Sequence, residues 1–212
     1  MSEPIVELQV KSDAYRLISL FLHLPTKELW AGVADGSVAA DAQAIVSELG
    51  MGEDAVADMA GFADAGVSLD GLRADYTALY TSPSGPKVPI YEAIFRDRDD
   101  FDTSKLTFIS PNALSAERFY RSYGLKMGGT DNNSADHMAA ECEFASFLLA
   151  EQASAVEACD AARALKAAET WSDFQVRHLA KWSEAFFGRS LEAARTPAYR
   201  AVAKLGALLS RM

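Results

Sequence analysis

An acid and an imidazole stand side by side at Asp136-His137, and a second acid follows at Glu141. Residues four apart share a helical face, so in a helix His137 and Glu141 would stack one turn apart. Such a pair suits proton transfer, serving as general acid and base. It suits equally the recognition of a charged partner, because side chains at a helix N-terminus lie in the field of its free amides. Asn133 is placed to cap that helix, which puts Asp136 at the third helical position, beside those amides. Asp136 therefore also has a purely structural reading. A histidine in the same field resists protonation, and a neutral ring donates one hydrogen bond and accepts another.

Other chemistry has less to work with. The histidines are His23, His137 and His178. No Glu stands three residues before a His, so the paired Glu-x-x-His motif of a di-metal helical bundle is absent. His-Glu-x-x-His, a phosphate-cradling Gly loop and Gly-x-Ser-x-Gly are absent as well. Neither a metal nor a cofactor is expected. Cys142 directly follows Glu141, so on a helix it points about 100° away from it and reads as a buried thiol. His178 lies in an aromatic stripe with Phe174 and Trp182 and reads as a core histidine with one satisfied hydrogen bond.

The chain has 212 residues and a formal charge of −10, from 20 Lys+Arg against 30 Asp+Glu. That balance excludes non-specific nucleic-acid binding, which needs clustered cations, and favours encounter with basic peptides. The two cysteines form no Cys-x-x-Cys pair and suggest a reducing compartment. The start carries no pattern of a secretory leader, and no apolar run reaches the length of a membrane span. A soluble cytoplasmic protein is expected, without stable membrane insertion.

The elements that must position these residues read as helices. Residues 12–24 carry Ala14, Leu17, Ile18, Phe21 and Leu24 at helical spacing, capped by Ser12 or Asp13 and stopped by Pro25. Residues 26–66 read as two or three short helices broken near Gly36, Gly50-Met51-Gly52 and Gly66. Further helices are expected over 69–80, over 111–123 with Gly124 past the end, from about 134 to 150, and over 170–187. Thr196-Pro197 opens the last one. Ile5-Val6-Glu7-Leu8-Gln9-Val10 is the only candidate strand. The fold class is all-α, a single domain over residues 1–212 with about eight to ten helices. Residues 82–105 read as a long irregular loop and a possible hinge between two helical halves. Pro83, Pro86 and Pro89 stiffen its first part, ahead of Tyr91-Glu92. A stiff segment loses little entropy on binding; the same stiffness would serve a plain connector.

Three blocks in order resemble a known family. Leu72-x-x-Asp75-Tyr76-x-x-Leu79-Tyr80-x-x-Pro83, continued by Val88-Pro89-Ile90-Tyr91-Glu92-Ala93-Ile94-Phe95, is similar to one signature of the TorD/DmsD/NarJ redox-enzyme maturation chaperones. Tyr123-Gly124-Leu125, with Asp136-His137-x-x-x-Glu141-x-x-Phe144-x-x-x-Leu148, resembles the second. Phe174-x-x-x-His178-Leu179-x-x-Trp182 resembles the C-terminal helix pattern. Two departures suggest a divergent member. Ile90 and Ala93 replace the family's second Pro and its Ser in Pro-Pro-Tyr-Glu-Ser, and Asn133-Ser134-Ala135 replaces an acidic residue and a proline before Asp-His.

The resemblance implies an all-helical cytoplasmic chaperone without catalysis of its own. Its partner would be the precursor of a molybdopterin oxidoreductase, bound through a basic twin-arginine signal peptide, the apoenzyme or both. Cofactor insertion would be assisted and export delayed. The client-binding residues it implies are Tyr76, Leu79, Tyr80, Pro83, Pro86, Pro89, Tyr91, Glu92, Asp136, His137 and Glu141. A monomer or homodimer is expected. A helical adaptor without a redox client, or an acid–base enzyme using His137 and Glu141, is the alternative.

Overall fold

The computed structural model of the chain describes residues 3–96, 110–126 and 134–212. Among them are eleven α-helices and no strand. In chain order these are α1 (Glu3–Phe21), α2 (Lys27–Asp35), α3 (Ser37–Glu48), α4 (Glu53–Asp58), α5 (Leu69–Tyr76), α6 (Glu92–Arg96), α7 (Pro111–Ser122), α8 (Met138–Glu157), α9 (Ala161–Arg177), α10 (Ser183–Ala193) and α11 (Pro197–Leu209). A 3-10 turn (Met59–Phe62) follows α4, and a π turn (Thr77–Thr81) prolongs α5.

The all-α class holds, and the count exceeds expectation because α4 and α6 are very short. Ile5–Val10, the candidate strand, is the opening of α1 instead. Its six residues alternate too briefly to outweigh the helical stripe that continues into Ala14, Ile18 and Phe21, all fully buried. Ser12 does not cap a helix; it lies inside α1 and donates its hydroxyl to the Ser146 carbonyl at 2.8 Å. That bond marks where α1 lies along α8. The latter is buried on nearly every side, and Ala139, Ala145, Ala153 and Ala155 let its neighbours approach closely. A helix apolar all round belongs at a centre.

Local signals elsewhere act as read. Gly124 takes φ +71 just past α7, a conformation that costs glycine little, while the cap at the start of α7, Ser110, had not been anticipated. Thr196 caps α11 ahead of Pro197. The helix expected over 170–187 is broken: α9 ends at Arg177, a 3-10 turn covers Leu179–Lys181, and α10 begins at Ser183. The stretch is irregular through residues 82–91, with a turn closed by the Gly85 amide on the Ser82 carbonyl, but Glu92–Arg96 is helical; residues 97–105 lie outside the described residues, as does Asn133. One apolar cluster includes Phe21 and Leu22 of the N-terminal region, Leu79 and Ile90 around the proline loop, and Phe174, Trp182 and Leu205 beyond it.

The first signature block is a set of core anchors. Asp75 accepts from the Thr196 amide (2.8 Å), the Thr196 hydroxyl (2.9 Å) and the Arg195 amide (3.0 Å), so an acid on α5 holds the start of α11. The Tyr80 hydroxyl donates to Ser190 at 3.2 Å, and its ring lies against Phe186 and Tyr199.

The α10–α11 contact yields a stability prediction. A Cβ at Gly206 would fall 2.4 Å from the Phe187 ring, which is 3% exposed. Gly→Ala inside a helix ordinarily gains about 1 kcal/mol of propensity. Overpacking costs about 1–3 kcal/mol, so Gly206→Ala should be net destabilising by about 1 kcal/mol, read as a thermal midpoint lowered by roughly 2–4 °C.

Candidate functional site

The proline loop and the start of α8 are zipped together. The Glu92 amide donates to the Asp136 carbonyl (2.8 Å) and the Met138 amide to the Ile90 carbonyl (3.0 Å), with Tyr91 and His137 paired as an isolated antiparallel bridge. Two blocks separated by more than forty residues thus form one clasp.

His137 is the cap of α8, not a residue of its first turn. Its backbone is extended, and its Nδ1 accepts the Ala139 amide at 3.1 Å. A ring nitrogen that accepts an amide carries no proton, so the proton of the neutral ring sits on Nε2. Burial pushes the His137 imidazole down to about 3, with His23 adding to the shift. The resistance to protonation agrees with expectation, but its first cause is burial.

Asp136 is displaced from the third helical position for the same reason: the helix starts two residues after it. Its Oδ2 accepts from the Ala93 amide (3.2 Å) and the Ser110 hydroxyl (3.3 Å), so it caps α6 from a distance and braces the residue that caps α7. The amides of α8 that were to be free are met by Ile90 and by the His137 ring itself.

His137 and Glu141 do not work as a stacked pair. The His137 ring faces His23 (centroids 6.0 Å apart) and Tyr91 (5.1 Å), whereas Glu141 accepts from the Trp182 indole N–H at 3.0 Å. Burial, then the neighbouring Glu92, raises the Glu141 carboxyl well above the ordinary carboxylate range.

Spacing along the chain gave no hint of the cluster around Glu141. Glu92 is fully buried; its Oε1 accepts from Arg96 at 2.7 Å and its Oε2 lies 2.8 Å from His178 Nδ1. His178 Nε2 lies 3.1 Å from the Ser115 hydroxyl, so this core histidine has two partners rather than the one expected. The helix break at Arg177 carries the ring into this position. Glu92, Glu141 and His178 each present a ligand-type atom, all within 4.8 Å of one another. Cys142 is buried beside them, and burial raises its thiol well above its usual value, consistent with an inert side chain.

Of the eleven residues expected to meet a client, Tyr76, Leu79, Tyr80, Pro89, Glu92, Asp136, His137 and Glu141 are buried. Pro83 is exposed, and Pro86 and Tyr91 are half-buried. The surface next to the clasp belongs to residues that sequence reasoning passed over. His23 Nε2 lies 3.0 Å from Glu143 Oε1. Glu143 also lines a groove of about 270 Å³ floored by Tyr120, Phe144 and Phe147, with Leu125 and Lys126 at its side. Leu20 and Leu24, near His23 in the chain, are about half exposed. The run Glu143-Phe144 on a helix with an aromatic one turn further was the available signal. No described helix is long and apolar enough to cross a membrane.

Comparison with known proteins agrees with the helical architecture. The nitrate reductase delta subunit family matches residues 42–188. A perchlorate reductase assembly chaperone protein of Dechloromonas aromatica (strain RCB) is 29% identical over 184 residues, 85% of this chain and 77% of that protein. A crystal structure of a redox enzyme maturation protein from Archaeoglobus fulgidus superposes with a TM-score of 0.55 at 19% identity, covering 95% of this chain and 94% of that one. At that identity the likeness is one of fold.

Two measurements test the clasp. Asp136→Ala strips a cap from α6 and a brace from Ser110, and should cost about 2 kcal/mol, seen as a midpoint lowered by roughly 4–8 °C. His137 titrates near 3 when folded and near 6.5 when unfolded. Between those values the unfolded chain holds the extra proton, so the stability His137 supports is intact above pH 6.5 and declines as pH falls toward 3. His137→Asn retains a capping acceptor, so its midpoint should fall less than that of the natural chain between pH 7 and pH 4.

Proposed function

The chain belongs to the nitrate reductase delta subunit family, and from that premise we propose that it is a cytoplasmic, client-specific chaperone for the precursor of a molybdenum-containing oxidoreductase. It holds the precursor through its signal peptide, its apoenzyme or both, assists cofactor insertion and delays export until maturation is complete. The family consists of redox-enzyme assembly chaperones rather than enzymes. The separate partners of His137 and Glu141 are consistent with that: the imidazole is occupied as a cap, and the carboxyl is sealed against an indole.

The observation that carries the reading is the groove beside the clasp. It is lined by the rings of Tyr120, Phe144 and Phe147, with the Glu143 carboxylate, paired with His23, and the Lys126 ammonium also in its lining. An apolar side chain of a peptide fits the floor while a basic one meets Glu143, which is the pattern of a basic, amphipathic leader. Tyr91 continues this face through His137. The buried members of the expected set act by position: Asp136, His137 and Glu92 hold the loop against α8, so that Tyr91 and the groove keep fixed places. Pro83 and Pro86 are accessible enough to touch a client directly.

The test uses titration calorimetry with a synthetic twin-arginine leader peptide of a molybdopterin oxidoreductase. Glu143→Lys should weaken binding by about tenfold or more, because an attractive contact becomes a repulsive one. Phe147→Asp should do the same and also lower the midpoint, because the ring packs on Tyr123 and Phe144, so affinity is compared for the folded fraction, while Glu143→Lys should keep a midpoint close to the natural value. Equal affinities across the three proteins would move the leader off this groove. If purified precursor binds with unchanged affinity once its leader is removed, the apoenzyme is the main contact.

A further inference from the structure

The cluster of Glu92, Glu141 and His178 is not used by the client face. All three side chains are buried, and Glu141 Oε1 has no hydrogen-bond partner, one of two such side-chain atoms among the described residues. An unmet oxygen in the interior is costly and calls for a partner. We propose that Glu92, Glu141 and His178 form a binding site for a divalent transition-metal cation of the zinc class. This goes beyond the chaperone reading and does not depend on it.

The ligand chemistry carries the inference. Two carboxylates and one imidazole suit zinc, cobalt and similar ions rather than magnesium or calcium, which prefer all-oxygen shells. Tetrahedral bonds of about 2.0–2.1 Å place ligand atoms about 3.3 Å apart. The three ligand atoms are within 4.8 Å of one another, with His178 Nδ1 and Glu92 Oε2 already at 2.8 Å, so side-chain shifts of under about 1 Å close the site. An ion seated there supplies Glu141 Oε1 with the partner it lacks.

Each ligand is also held from behind, as metal ligands usually are. Ser115 faces Nε2 of His178, the Trp182 indole donates to the other oxygen of Glu141, and Arg96 donates to the other oxygen of Glu92. Charge is compatible. Two carboxylates balance a doubly charged ion, and Arg96 is 38% exposed, so its charge is screened by water. Arg96 is the partly exposed group beside the three buried ligands. Bound there, the ion joins α6, α8 and the α9–α10 junction. The role is structural, and no electron or group is transferred.

The decisive measurement is zinc binding to the full chain, purified without a polyhistidine tag and stripped with chelator. His23→Gln and Cys159→Ala are introduced together to remove partly exposed and exposed surface ligands. In that background, calorimetry with zinc chloride should give one site per chain, and zinc but not magnesium should raise the thermal midpoint. Glu141→Gln and His178→Gln should each weaken zinc binding by at least about tenfold. Cobalt loading of the same background without site substitutions gives an independent reading should either variant fail to fold: a four-coordinate nitrogen–oxygen site shows visible absorption bands at one equivalent. No saturable zinc site, binding unaltered by Glu141→Gln in a folded variant, or no such cobalt bands would each overturn the proposal.

Discussion

A carboxylate taken out of water must be met by donors, and this fold is organised by how it meets two of them. Asp136 accepts from the Ala93 amide and the Ser110 hydroxyl, and its own carbonyl receives Glu92. Asp75 accepts from two amides and a hydroxyl at the start of α11. In each case a negative charge stabilises the positive end of a helix that is remote in sequence, so desolvation cost and helix-dipole gain are settled in one contact. Once Asp136 is fixed, the loop from Ile90 to Glu92 has one register against α8. That register puts Glu92 next to His178, and the interior network follows from it.

This arrangement separates stability from recognition. The acid–imidazole motif that looks most like a binding site is buried and spends its hydrogen-bonding capacity on backbone. The partly exposed groups beside it, His23 and Glu143, come from just past α1 and from the second turn of α8. A surface built on such a base has its geometry set from beneath, so a client docked as proposed would meet a face that does not need to be ordered on binding.

The sequence made some of this legible and left the rest hidden for identifiable reasons. Thr196-Pro197, Pro111 and Tyr123-Gly124 are local signals, decided by a few neighbouring atoms, and each acts where it stands. The start of α8 was misplaced because Asn133 and Ser134 are better generic caps than a histidine; only the pairing with Ile90 and Asp136 selects His137. The break at His178 has no glycine or proline to announce it. Phe174, His178, Trp182 and Phe186 keep four-residue spacing straight through it, so periodicity alone reads one helix. What holds the ring there is Glu92, 86 residues away, and Ser115, 63 residues away. Contacts at such separations leave no mark in a local pattern. The family's ordered motifs were readable as a set, but not the fact that most of their members face inward.

The docking of α1 has a consequence for how the chain is made. Ser12 finds its partner 134 residues later, and the Phe21 carbonyl receives the Tyr199 hydroxyl 178 residues later. Synthesis runs from α1 toward α11, at about 5–20 residues per second. The first helix therefore leaves the ribosome with its apolar side uncovered and waits roughly ten to forty seconds for the last of its neighbours. Until α11 is released, the apolar side of α1 is therefore in the same condition as any incomplete chain, open to contacts that the finished fold excludes.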